Sequence, residues 1–243
     1  GTMMFILIPR AQASADRINE VLNIVPEIND PENPADLINS RGHVEFKDVT
    51  FAYKGAEQPV VNNVSFTAEP GKTTAIVGST GCGKSTIINL LCRFYDIQKG
   101  EILIDGIDIR QVRQSDLRNQ IGLISQKSLL FSGTIAENIK FGYEEASDSE
   151  IRYVSEIAQV KEFVDELEKG FDTLITQGGT NLSGGQKQRI SIARALIRKP
   201  KIFIFDDSFS ALDFLTESKI KRKLNEKLAG TTQIFITQRV ASA

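Results

Sequence analysis

Apolar and polar positions along the chain follow two periods. Over residues 10–25, Ala15, Ile18, Val21, Leu22 and Val25 recur at helical spacing, which predicts a helix. Residues 26–34 are rich in Pro, Asn, Asp and Glu and read as a linker, so the compact domain is expected to begin near Arg41. The period then drops to two over 44–53. Val44, Phe46, Val49, Phe51 and Tyr53 are its apolar marks, and a slip near Asp48 predicts a bulge. A second strand is expected over 60–68, and a short apolar one over 73–77, closed by Gly78. Residues 84–94 read as a helix, followed by short apolar segments at 102–104 and 121–124. The stretch 134–170 reads as helical, marked by Ile135, Ile139, Ile151, Val154, Ile157, Ala158 and Phe163. Ser183 opens a further helix that runs to about Arg198, where Pro200 forbids continuation. An apolar run at 202–205 ends in two aspartates, and a helix over 216–228 and a strand over 233–237 follow. Apolar strands alternating with helices predict a parallel sheet covered on both faces.

Composition narrows the possible functions. The 243 residues are 41% apolar, enough for one large domain with a sizeable core. With 29 basic and 31 acidic residues, the net charge is -2. A dedicated nucleic-acid binder would carry a basic excess. A nucleotide needs only a local positive site. Cys82 and Cys92 are too few for a disulfide framework and fit reduced thiols. His43 is the only histidine, and no zinc-ligand spacing occurs. No apolar run approaches the roughly 20 residues of a membrane-spanning helix. The run at 3–8, closed by Pro9, lacks a cleavage site and reads as a tag remnant or the end of a longer hydrophobic helix.

Residues 78–85 read Gly-Ser-Thr-Gly-Cys-Gly-Lys-Ser, which fits the phosphate loop G-x-x-x-x-G-K-[ST] at every fixed position. The motif follows a predicted strand and opens a predicted helix, the context it requires. Glycines let the backbone turn with positive φ and come close to a ligand. Successive N–H groups form an anion nest, and the helix N-terminus adds partial positive charge. Gly78, Ser79, Thr80, Gly81, Cys82, Gly83, Lys84, Ser85 and Thr86 are therefore the candidate cradle, with Cys82 at a variable position. Lys84 is expected to neutralise the β- and γ-phosphates, and Ser85 to ligate Mg²⁺. Asp206 ends a buried apolar strand, where ligands bind in open α/β sheets, and is a second candidate metal ligand.

Leu182-Ser183-Gly184-Gly185-Gln186 resembles the signature of the ATP-binding cassette (ABC) family, and the resemblance covers nearly all of 41–243. It implies an α/β fold: a P-loop NTPase (RecA-like) core with a mainly parallel sheet and an antiparallel β subdomain on the N-terminal side. A helical subdomain at about 127–195 is expected to carry the signature. Residues 1–40 then resemble the linker and the end of the last transmembrane helix of an exporter. The implied ligands are ATP and Mg²⁺. The implied partners are a second nucleotide-binding domain and a transmembrane domain at the cytoplasmic face of a membrane. In that family two domains face head to tail, and Ser183, Gly184, Gly185 and Gln186 would close over the γ-phosphate held by the partner's loop. Tyr53 resembles the aromatic that stacks on adenine; a strand-end core tyrosine is the alternative. Gln126 resembles the glutamine that senses Mg²⁺ and the attacking water. Ser210-Ala211-Leu212-Asp213 resembles the loop that crosses between sites, and 131–139 the segment that meets the membrane domain. Further strands and a terminal helix are expected after Ala243.

Two positions depart from the family pattern. Asp207 stands where the family has the catalytic glutamate, and Gln238, within Thr237-Gln238-Arg239, where it has a histidine against the γ-phosphate. Gln177 also departs from a glutamate-containing pattern before the signature. Aspartate is one methylene shorter than glutamate, and glutamine cannot titrate. Together they predict a site that binds ATP but hydrolyses it slowly, in a chain whose intact signature completes a catalytic site on a different partner. An ATP-holding switch with negligible turnover and a homodimeric ATPase are the alternatives.

Overall fold

A computed structural model describes residues 2–238. Arg239 and the residues after it lie outside the described part. The chain opens with helix α1 (Thr2–Leu22). Strands β1 (Val44–Phe51), β2 (Val61–Ala68) and β3 (Thr73–Val77) then lead into α2 (Lys84–Leu91). Next come β4 (Lys99–Ile104), β5 (Ile107–Asp108), α3 (Gln114–Asn119) and β6 (Ile121–Ile124). A layer of helices follows: α4 (Ile135–Lys140), α5 (Asp148–Ile157), α6 (Val160–Val164) and α7 (Gly184–Ile197). Two short strands at Gly133–Thr134 and Leu174–Ile175 pair with each other within this layer. Strand β9 (Ile202–Asp206), α8 (Phe214–Lys227) and β10 (Thr232–Thr237) complete the order, the short pair being β7 and β8.

Two four-stranded sheets organise these elements. One is antiparallel, in the order β2-β1-β4-β5, and the other parallel, in the order β3-β10-β9-β6. β9 is buried along its apolar run and β10 along its whole length, as central strands of a sheet covered on both faces must be. Alternation sorts their side chains. Phe203, Phe205 and Phe235 point into a core shared with α4–α8, while Ile202, Ile204, Ile234 and Ile236 join a second core with α2 and the antiparallel sheet. Phe205 and Phe235 stack at 4.4 Å between ring centroids, with Phe209 stacked beside them. The expected bulge is present: the β1–β2 register shifts between Phe46 and Val49, and Asp48 has φ 50°. Gly100 faces it so closely that a Cβ there would lie 2.3 Å from the Lys47 carbonyl oxygen.

Three expectations need correction. The stretch 134–170, read as helical, is helical only in three short pieces, α4, α5 and α6. Gly142, at φ 81°, ends the first, Ser147 starts the second with a capping box to Glu150, and Gln159 at φ 58° separates the third. The helix expected to reach Phe94 stops at Leu91, where Arg93 turns left-handed at φ 50° and the Phe94 N–H bonds back to the Asn89 carbonyl. The helix expected over 10–25 instead spans Thr2–Leu22 and runs through Pro9. It is exposed from Leu7 onward, and no helix among the described residues is long and apolar enough to cross a membrane. Residues 26–34 have no regular structure but are pinned to the domain. Asn29 O accepts from Arg93 Nη2 at 3.1 Å, and Asp30 Oδ1 accepts from the Gln114 backbone at 2.9 Å.

A buried asparagine organises the helical layer. Asn138, 2% exposed, accepts from the Phe131 N–H and donates to the Phe131 and Thr134 carbonyls. Arg194 of α7 donates to the same side chain at 2.8 Å. Asn138→Ala strands these groups in a low-dielectric interior. It should cost about 2–3 kcal/mol, read as a lower urea midpoint at unchanged slope; a loss within error of zero would refute the assigned role.

Candidate functional site

Parallel strands deliver their carboxyl ends to one side of a sheet, and here four of them converge. β3 runs into the glycine loop, β9 ends at Asp206, β10 leads to Gln238, and β6 leads through Ser125 to Gln126. Around them lies a cavity of about 370 Å³, lined by Tyr53, Val60, Thr80, Gly81, Gly83, Lys84, Ser85, Thr86, Gln126, Asp206, Asp207, Ile236 and Gln238. Thr80 and Gln238, 158 positions apart, thus share one wall.

The loop has the backbone that its sequence demands. Gly81 and Gly83 adopt φ 82° and 94°, and Gly83 is the N-cap of α2. A Cβ at Gly83 would lie 2.9 Å from the Val60 carbonyl oxygen, so only glycine brings the loop this close to the segment just before β2. Lys84 Nζ donates to the carbonyls of Gly78 at 2.7 Å and Ser79 at 2.6 Å, which holds its charge at the mouth of the loop. Gly78, Ser79 and Cys82 do not line the cavity. Cys82 Sγ packs over Gly78 and lies 3.8 Å from Lys84 Nζ. Tyr53 lines the cavity while its hydroxyl meets Thr86 Oγ1 at 3.1 Å, and its ring packs edge-on against Phe51 and Tyr95.

The two carboxylates differ. Asp206 is half-buried, and burial, followed by the charge of Asp207, raises its pKa above the ordinary aspartate value of 3.8, partly offset by Lys84. Asp207 sits in the left-handed region at φ 44°, which aspartate tolerates better than most residues. Its N–H donates to the Ile236 carbonyl at 2.8 Å and its carbonyl accepts from Ser210 Oγ at 2.9 Å, so the turn is tied on both sides. Its Oδ2 accepts from Gln126 Nε2 at 3.3 Å. Gln238 Oε1 accepts from Thr80 Oγ1 at 3.1 Å.

The signature stands apart from this cavity. Ser183 N-caps α7 in a capping box: its hydroxyl accepts from the Gln186 N–H, and Gln186 Oε1 accepts from the Ser183 N–H. Ser183 and Gly184 are exposed, and none of 183–186 lines the cavity. Gly185 packs on the loop at 210–213, where a Cβ would lie 3.2 Å from Ala211 O. Gln188, which no motif singled out, is 1% exposed. It bonds to Ser128 Oγ and, at 3.4 Å, to Ser125 O, and so ties α7 to both flanks of Gln126. Nothing in the sequence separates it from the other polar residues of α7.

Residues 61–210 match the family described as ABC transporter. The chain belongs to that family. It is 44% identical over 247 residues to an uncharacterised ABC transporter ATP-binding protein of Mycobacterium tuberculosis, covering 100% of this chain and 42% of that protein. It is 45% identical over 231 residues to the beta-(1→2)glucan export ATP-binding/permease protein NdvA of Rhodopseudomonas palustris, covering 94% and 38%. The solved structure of a bacterial Atm1-family ABC exporter with ATP bound superposes with a TM-score of 0.92 at 37% identity, over 99% of this chain and 42% of that one. The chain thus spans about two fifths of the length of these relatives.

ABC domains bind ATP, with Mg²⁺, and the residues here fit both. The loop's left-handed glycines and helix N-terminus suit phosphate, and the oxygen donors Ser85 and Asp206 suit a hard cation. Among the described residues no three His, Cys, Asp or Glu side chains gather to hold a metal.

Two outcomes follow from the electrostatics. The ionised form of Asp206 costs stability above its raised folded-state pKa, and the cost vanishes below 3.8. Asp206→Asn should therefore raise the thermal midpoint of the nucleotide-free protein at neutral pH. That gain should shrink as the pH falls towards 3.8, and a lower midpoint at neutral pH would contradict the assignment. Burial pushes the Cys92 thiol up to about 12, whereas Cys82 is exposed. A thiol reagent at about pH 8 should titrate one cysteine in the folded chain and a second only after unfolding; two prompt thiols would refute this.

Proposed function

We propose that this chain is the nucleotide-binding domain of an ABC exporter, with a weakly hydrolytic site of its own and a signature that completes a partner's site. Residues 41–243 form that domain, with a helical subdomain at about 127–195. Residues 1–40 lead from a membrane domain, which places the full protein at the cytoplasmic face of a membrane. The exporter reading is supported by similarity to NdvA and to the Atm1-family exporter.

The observation that carries the asymmetric reading is the arrangement of Asp207 and Gln238. In the proposed site Lys84 neutralises phosphate charge, Ser85 and Asp206 hold Mg²⁺, and Tyr53 receives the base. The metal supplies charge neutralisation to the phosphates and leaves little covalent work to the protein. Asp207 Oδ2 is the acceptor for a proton from water, but Gln126 occupies it at 3.3 Å, and its side chain is a methylene shorter than glutamate. Gln238 donates hydrogen bonds without titrating. Both features favour binding over turnover. The exposed N-terminus of α7, capped only by the Ser183–Gln186 capping box, supports the second half of the reading. Two glycines leave its N–H groups open to an anion, and its own cavity does not reach it. A second nucleotide-binding domain, presenting its own phosphate loop, is the proposed occupant. An ATP-holding switch with negligible turnover is the second reading, favoured by the engagement of Asp207 with Gln126.

Phosphate release by the purified chain tests this directly. Asp207→Glu with Gln238→His should raise it on the order of 100-fold, the usual effect of moving a catalytic group by about 1 Å. Mixing the unaltered chain with a partner that carries glutamate and histidine at these positions should also raise turnover, and Ser183→Arg should abolish that gain. Rapid turnover by the unaltered chain alone would exclude the weak-site reading.

A further inference from the structure

A second cavity, of about 50 Å³, adjoins the first, and Asp207 and Ile236 line both. The stacked rings of Phe205, Phe209 and Phe235 give it apolar walls. Glu217 and Lys221 of α8 line it as well, ion-paired at 2.9 Å, and the Lys221 ammonium lies 5.4 Å from the Phe209 and Phe235 ring centroids. Ser208 is set among these groups. It is 1% exposed, and its Oγ has no hydrogen-bond partner among the described residues.

We infer that this cavity is a water site: Ser208 Oγ binds an ordered water that bridges the turn after Asp207 to Glu217 on α8. The site is independent of nucleotide binding and of turnover. A buried hydroxyl left unpaired costs roughly 5-fold or more in the folding equilibrium, and folded proteins pair such groups, often with water. Size decides the class of ligand. One water needs on the order of 10–15 Å³ of cavity and an organic ligand roughly 300 Å³ or more, so this cavity admits a few waters and excludes a metabolite. A purely apolar cavity would stay dry, and a bound water needs at least two polar partners. The Ser208 hydroxyl supplies one. An ionised carboxylate offers about four acceptor positions and an ammonium three donors, so the Glu217–Lys221 pair can still accept from a water O–H. Ser208 directly follows Asp207, whose backbone is left-handed at φ 44° and whose N–H donates to the Ile236 carbonyl at 2.8 Å. The water adds a polar tie from this turn to α8, beside the apolar packing of the Phe209 ring.

A crystal structure of the unaltered chain, at a resolution that shows waters, tests the site together with urea midpoints of the unaltered chain, Ser208→Ala and Ser208→Thr. The expectation is a water about 2.6–3.0 Å from Ser208 Oγ and within hydrogen-bond reach of the Glu217 carboxylate. Ser208→Ala should lower the folding equilibrium constant about 5-fold, the usual worth of one hydrogen bond. Ser208→Thr restores a hydroxyl and should stay within about 2-fold of the unaltered chain. A dry cavity, or Ser208 Oγ bonded to a protein acceptor instead, would overturn the inference. So would unchanged or greater stability of Ser208→Ala, the mark of a hydroxyl that was never paired, and a loss in Ser208→Thr as large as in Ser208→Ala.

Discussion

The parallel pairing of β3, β10, β9 and β6 is the constraint on which the rest depends. Each of these strands ends on the same side of the sheet and hands the chain to a different functional segment. Their register also decides which face each side chain takes. On β9, phenylalanines go to the helical core and isoleucines to the core under the antiparallel sheet. A one-residue slip would exchange these sets and withdraw Asp206 from the wall it shares with Lys84. The site and the core are therefore specified by the same hydrogen bonds.

What could be read from the chain alone was whatever one local stretch encodes. The glycine loop, the apolar strand before Asp206 and the Ser183 cap each concentrate their signal within about eight residues, because phosphate cradles and helix caps are made of neighbouring backbone groups. The bulge at Asp48 was legible for the same reason, as a break in a period of two. The division of 134–170 was not, since Ile135, Ile151 and Phe163 keep apolar marks across breaks that depend on Gly142 and on the backbone of Gln159. The missed strands at 107–108, 133–134 and 174–175 are too short to carry any period. Least legible were contacts made by topology, such as Gln126 with Asp207 and Arg194 with Asn138. No spacing rule links residues 81 or 56 positions apart.

Asp207 illustrates how backbone and chemistry compete at one residue. Its left-handed turn suits a short polar side chain, and the turn is held by the Ile236 carbonyl and by Ser210. A longer side chain would extend reach into the cavity but accept a poorer fit to that backbone. The short side chain at this position thus has a conformational side as well as a chemical one. Its neighbour Asp206 experiences the opposite pressure: it remains in a half-buried position where ionisation is disfavoured, which is the expected state of a carboxylate whose natural counter-charge is a cation.

Gln188 has a mechanical consequence. It is sealed in the interior and grips both ends of the short segment that carries Gln126, so that segment and α7 form one gear. Any movement of α7 away from Ser125 and Ser128 would therefore break hydrogen bonds on both sides of Gln126.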